Sequence, residues 1–126
     1  MDFEQTVGQR LLLAFEGKDR PSPEAVQAIR RYKPAGITLF RSLNVDNPVQ
    51  LRELTDAFQR NAAENGIPPL LIATDQEGGQ LMALGDGTPL PGNMALGAAG
   101  SVRLARQAGE VLGSEMAAVG VNVDYA

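Results

Sequence analysis

The chain has 126 residues, enough for one small domain, and is 44% hydrophobic and 21% charged, an ordinary balance for a globular protein that buries a core. It contains no cysteine and no histidine, which excludes disulfides, thiolate and histidine metal sites, and a Ser-His-Asp triad built from this chain alone. A net charge of −4 offers no basic stripe to neutralise nucleic-acid phosphates or an anionic membrane surface.

Residues 1–10 are polar and partly acidic and lack the basic-then-apolar pattern of a signal peptide. No apolar run reaches the ~20 residues of a membrane span, so a soluble cytoplasmic protein is expected. Residues 10–15 (RLLLAF) read as a first buried strand. Ser22-Pro23 then places a cap residue before proline at the first helical position, and Ala25, Val26, Ile29 and Tyr32 give that helix an inward face. Residues 35–40 (AGITLF) form a second strand. Asn47-Pro48 repeats the helix start with Gln50 in the capping-box position; Leu51, Leu54, Phe58 and Ala62 form its stripe, and Gly66 stops it. Residues 69–74 (PLLIAT) are a third strand. Residues 75–100 are rich in glycine and proline and show no clear periodicity, which predicts a long loop. Ser101 opens a third helix with the stripe Leu104, Ala108, Val111, Leu112, Met116 and Val119, closed by Gly120. Residues 121–125 (VNVDY) alternate and read as a fourth strand.

Strands alternating with helices predict a parallel α/β sheet with right-handed crossovers. The first three strands are nearly continuous hydrophobic runs, which suits cover on both faces. A doubly wound sheet and a (β/α)8 barrel share this beginning. A barrel takes ~250 residues, so the second reading makes this chain half a barrel. In both architectures ligands bind at the C-terminal strand ends. Carboxylates gather there: Glu16 after the first strand, Asp75 and Glu77 after the third, Asp124 in the fourth. Glu16 and Asp124 read as solvated or capping residues. Asp75 emerges directly from a buried strand, and Gly78-Gly79 lets the following backbone bend. That makes either an acceptor at a pocket floor or a turn whose aspartate caps its own backbone. Arg41, at the end of the second strand, either faces the same mouth or forms a surface salt bridge.

The stretch ATDQEGGQLMALGDGTPLPGNMALGAAGS, residues 73–101, resembles the signature region of glycoside hydrolase family 3. That family carries an Asp-x-Glu-Gly-Gly run after the third barrel strand and a Pro-Gly-x-Met-Ala-Leu-Gly segment before the next helix. Pro91-Gly92-Asn93-Met94-Ala95-Leu96-Gly97 matches the second segment. Val7-Gly8-Gln9, Gly36-Ile37-Thr38-Leu39-Phe40 and Gly120-Val121-Asn122-Val123 are similar to its flanks, so the resemblance covers essentially the whole chain. The Asp75-Gln76-Glu77 spelling and the near-absent N-terminal extension resemble the β-N-acetylhexosaminidase-like branch.

The resemblance implies a partial (β/α)8 barrel, residues 1–126 being the N-terminal half of the domain, cut after the fourth strand. It implies a parent enzyme that cleaves terminal β-linked sugars, β-N-acetylglucosaminides first, from glycosides or peptidoglycan fragments. It gives Asp75 the role of hydrogen-bonding sugar hydroxyls. Glu77, with Gly78 and Gly79, is expected to brace the loop by accepting backbone hydrogens. The family's Lys-His pair, histidine acid/base and aspartate nucleophile lie downstream of the matched region. The chain alone is therefore expected to bind carbohydrate and not to hydrolyse it, with no catalytic residue, metal or cofactor of its own. Many relatives follow the glycine pair with Arg-Val-x-Arg; here Gln80-Leu81-Met82-Ala83 stands in that place, which leaves the preferred sugar open.

Two other readings fit the element order. A nucleotide-binding domain would place Gly-x-Gly-x-x-Gly or a Gly-Lys-Ser/Thr loop after the first strand, and Glu16-Gly17-Lys18-Asp19 is neither. A non-enzymatic half barrel would leave unpaired strand edges and an apolar face, and would self-associate through them as a homo-oligomer.

Overall fold

A computed structural model describes residues 3–126; Met1 and Asp2, the start of the polar N-terminal stretch, lie outside the described residues. The elements run α1 (Phe3–Gly8), β1 (Leu12–Leu13), α2 (Pro23–Tyr32), β2 (Gly36–Thr38), α3 (Arg41–Asn44), α4 (Pro48–Glu64), β3 (Leu71–Thr74), β4 (Gln76–Gly78), β5 (Leu81–Met82), α5 (Asn93–Ala99), α6 (Val102–Ala118) and β6 (Val123–Asp124). The helix boundaries follow local chemistry. Ser22, Asn47 and Ser101 each accept a hydrogen bond at the start of a helix, from the N–H groups of Ala25, Gln50 and Leu104. Gly66 and Gly120 take positive φ, 64° and 78°, just past α4 and α6. There Ile67 N–H reaches Ala62 O at 3.0 Å and Val121 N–H reaches Met116 O at 2.9 Å, the bonds that close a Schellman turn.

β1, β2, β3 and β6 form one parallel sheet in that order. The order never reverses. Right-handed crossovers in an unreversed order put every connecting helix on the same face, as in a barrel and unlike a doubly wound sheet. Burial agrees with this. Ile37, Leu39, Leu70 and Ile72 pack in one core with Ala25 and Ile29 of α2, Leu51, Leu54, Phe58 and Ala62 of α4, and Met116 of α6.

The strands are therefore covered on one face, not on both as their continuous apolar runs suggested. Register partners share a face: Leu12, Gly36 and Leu71 form one row, and Thr38, Ala73 and Val123 the next. On these rows Leu12 and Leu71 are 41% and 43% exposed, while the smaller Gly36 and Ala73 are buried. Two predicted stripes also need correction. Tyr32 is 48% exposed, with the Arg31 guanidinium over its ring, and Leu104 is 39% exposed.

The family-like flanks turn out to be places of close backbone approach. A Cβ at Gly8 would lie 1.8 Å from Tyr32 O, and one at Gly36 would lie 2.0 Å from Leu71 O. Gln9 Nε2 donates to Lys33 O at 2.7 Å. Asn122 brackets the start of β3, accepting from Ile72 N–H at 2.8 Å and donating to Leu70 O at 3.2 Å.

Candidate functional site

The predicted loop, residues 75–100, is not structureless. It folds back as the antiparallel hairpin β4–β5 and then forms α5. Gln76 organises the hairpin. Its side chain is fully buried and brackets one backbone unit, with Oε1 accepting from Leu84 N–H at 2.9 Å and Nε2 facing Leu84 O at 3.4 Å. Both polar ends of a buried amide are thereby used, which is the condition for burying it at low cost. Gly78 and Gly79 have φ of 78° and 59°. They sit against the Pro-Gly segment: Gly79 N–H donates to Leu90 O at 2.8 Å, and a Cβ at Gly78 would lie 2.9 Å from Pro91 O. The two sequence motifs thus meet in space, and the glycine pair is where the backbones touch.

Among the described residues no backbone N–H donates to the Glu77 carboxylate. Its Oε2 faces Asn93 Nδ2 at 3.4 Å, a long side-chain contact that links the hairpin to α5. The bracing comes instead from Gln76 and from Glu115 of α6, which accepts Thr88 N–H at 3.0 Å. Strand parity gives no hint of either, because both act across the fold.

Asp75 continues β3 on the uncovered face, in step with Leu71 and Ala73. It is partly exposed and lines a cleft of about 140 Å³ with Phe40, Arg41, Thr74, Gln80 and Met82. Arg41 lines the same cleft, its guanidinium against Gly85, where a Cβ would be 2.4 Å from Nη2. Among the described residues neither the Asp75 carboxylate nor the Arg41 guanidinium has a hydrogen-bond or ion-pair partner. The surface salt bridge and the self-capping turn are therefore not formed. Ala83 also lines the cleft, so the departure from the Arg-Val-x-Arg pattern falls at the mouth itself.

Asn44, unremarked in the sequence, fixes the neighbouring strand ends. It is 1% exposed, accepts from Phe40 N–H at 2.9 Å and donates to Phe15 O at 2.8 Å and Gly17 O at 3.0 Å. Tyr125 OH and Thr38 Oγ1 share a hydrogen bond at 3.1 Å across Ala73, below the cleft. Glu16 is exposed, as expected of a solvated residue. Asp124 is not simply solvated, since its Oδ1 accepts from Gln76 N–H at 2.9 Å. Larger hollows lie elsewhere, of about 570 Å³ beside Gly17–Arg30 and about 680 Å³ between α5 and α6. In the first, Lys18 is already paired with Asp46, and the second is walled mainly by small apolar residues.

A singly wound parallel sheet with its connecting helices on one face defines the class as the N-terminal half of a β/α-barrel domain. The model of the glycosyl hydrolase family 3 N-terminal domain matches residues 3–126, and the chain belongs to that family. It is 34% identical to a β-hexosaminidase A from Pseudoalteromonas piscicida, over 97% of this chain and 24% of that one. It is 42% identical to a β-hexosaminidase from Nitrosomonas eutropha, over 71% of this chain and 26% of that one. It superposes with a TM-score of 0.94 and 42% identity on a family 3 β-N-acetylglucosaminidase from a Paenibacillus species, covering 100% of this chain and 24% of that one. The chain thus spans about a quarter of the length of these relatives. Among the described residues no helix is long and apolar enough to cross a membrane.

Proposed function

We propose that residues 1–126 form the N-terminal half of a barrel domain and supply one wall of its sugar-binding mouth. The parent enzyme releases terminal β-linked N-acetylhexosamine, β-N-acetylglucosamine first, from glycosides or peptidoglycan fragments. Asp75 accepts hydrogen bonds from sugar hydroxyls and Arg41, which lines the same cleft, donates to them. The observation that carries this reading is the Asp75 carboxylate itself, partly exposed at a strand end with no partner among the described residues. An ionised carboxylate is acceptor-only, and its charge-assisted bonds to hydroxyls are stronger than neutral ones. The 140 Å³ cleft is smaller than a ligand pocket of ~300 Å³ or more, as one wall of a site should be.

Hydrolysis needs more than this wall. Retention uses a nucleophile and an acid on either side of the bond, ~5–5.5 Å apart in the carboxylate version. Glu77, the nearest carboxylate in sequence, is turned to Asn93. In this reading the nucleophile and acid/base are supplied by residues other than 1–126, as the family resemblance implies. Purified chain incubated with p-nitrophenyl N-acetyl-β-D-glucosaminide is expected to bind it weakly and release no nitrophenol above background. Turnover that survives repurification contradicts the assignment of the chemistry to other residues.

The open sheet face favours a second reading, self-association of the isolated chain. Leu12, Leu71 and Phe40 are each at least 40% exposed on that face. Within the described residues β1 and β6 each pair on one side only. Exposed edges and apolar faces of this kind recruit a second copy. Light scattering is expected to show dimers or larger species, and a monodisperse monomer contradicts it.

A further inference from the structure

The peptide unit that leaves Asp75 is held at both ends. Its carbonyl, Asp75 O, accepts from Ala83 N–H at 3.1 Å. Its N–H, on Gln76, donates to Asp124 Oδ1 at 2.9 Å. The next side chain, Gln76, is fully buried and locked onto Leu84. The preceding peptide unit is held as well, Thr74 O accepting from Tyr125 N–H at 3.0 Å. With both flanking planes held, the Cα–Cβ direction of Asp75 is set and its own side-chain torsions stay free. A site group needs such support to stay within a fraction of an ångström of its working position.

Asp124 is placed to act from behind the mouth. In the register Thr74 pairs with Asp124 and Ala73 with Val123. Asp124 therefore has the parity of buried Thr74, on the face opposite Asp75. It borders the hollow between α5 and α6, not the cleft that Asp75 lines.

We propose that Asp124 is the positioning residue for Asp75: its carboxylate anchors the Asp75–Gln76 peptide and thereby aims the sugar-binding carboxylate into the mouth. The inference rests on the sugar-anchor reading of Asp75. It assigns Asp124 an acceptor role that needs an oxygen at one place and does not need a negative charge. Asparagine supplies that oxygen and alanine does not.

The test is a titration of the chain with N-acetyl-D-glucosamine, followed by amide NMR shifts, for wild type, Asp75→Ala, Asp124→Ala and Asp124→Asn. Misplacement of a site group by about an ångström costs up to ~100-fold, and Asp124→Ala is expected to weaken binding about tenfold. Asp124→Asn is expected to stay within about twofold of wild type and to keep the thermal midpoint of the parent. Hydrogen exchange of the Gln76 amide is expected to accelerate in Asp124→Ala and not in Asp124→Asn. Loss of binding with Asp75→Ala but none with Asp124→Ala, or an Asp124→Asn as weak as Asp124→Ala, overturns the role of Asp124 alone. Unchanged exchange at Gln76 overturns it too. Absent binding by wild type, or unchanged binding by Asp75→Ala, overturns the sugar-anchor reading and the Asp124 inference with it.

Discussion

The two faces of the main sheet are built from alternate residues of the same strands, yet they do different work. On the helix side Ile37, Leu70 and Ile72 are fully buried, and this layer holds the fold together. On the other side Leu71, Phe40 and Tyr125 are between 40% and 44% exposed, and this layer carries Asp75 at its upper rim. The difference teaches that stability and the candidate site are separable in this chain, because they sit on opposite parities of one set of strands.

The largest effect should come from the helix side. Phe58 of α4 is 2% exposed at the centre of the core. Phe58→Ala is expected to cost about 3–5 kcal/mol, much of a typical margin of about 5–15 kcal/mol, and to lower the urea midpoint sharply. A smaller loss would mean that the helix layer is not the main support.

The sharpest contrast uses neighbours. Ile72→Ala is expected to cost about 3 kcal/mol, whereas Leu71→Ala, one residue away on the open face, should cost about 1 kcal/mol or less. Equal losses in paired urea melts would mean that something covers the open face in solution, and a second copy is the proposed cover. Gly120→Ala should fall between these, at about 1–3 kcal/mol. Its φ is 78°, and the new Cβ would lie 2.3 Å from Thr55 Oγ1, which itself donates to Val119 O at 2.9 Å.

The helix side was also the legible side. The stripe Leu51, Leu54, Phe58 and Ala62 is buried as its spacing indicates, and the caps at Ser22, Asn47 and Ser101 form as their residue types indicate. Such features are local, so a short window of sequence contains their cause. Gln50 shows the limit. It sits in the capping-box position but accepts from Asp46 N–H, one residue before the cap, at 2.7 Å, and donates to Asn44 O at 3.0 Å. The single-sided cover of the sheet was not legible, because an apolar run cannot say whether a second layer is present. The hairpin β4–β5 has strands of three and two residues, too short to show a period, and it exists because Gln76 grips Leu84. At the site the position of Asp75 at a strand end was legible through its strand and the glycine pair after it, while its role came only from the family resemblance. The linking roles of Asn44, Gln76 and Asp124 were not, because Phe15, Leu84 and Gln76, which they respectively hold, lie 29, 8 and 48 residues away in the chain.

The separation of the two faces is tested most directly by one variant read in two ways. Asp75→Ala is expected to leave the thermal midpoint within about 1 °C of wild type, since the carboxylate has no partner to lose among the described residues. The same sample is expected to lose its response to N-acetyl-D-glucosamine in NMR titration. A midpoint that falls by several degrees would show that Asp75 serves the fold, and sugar binding that persists would show that the mouth is not where the sugar is held.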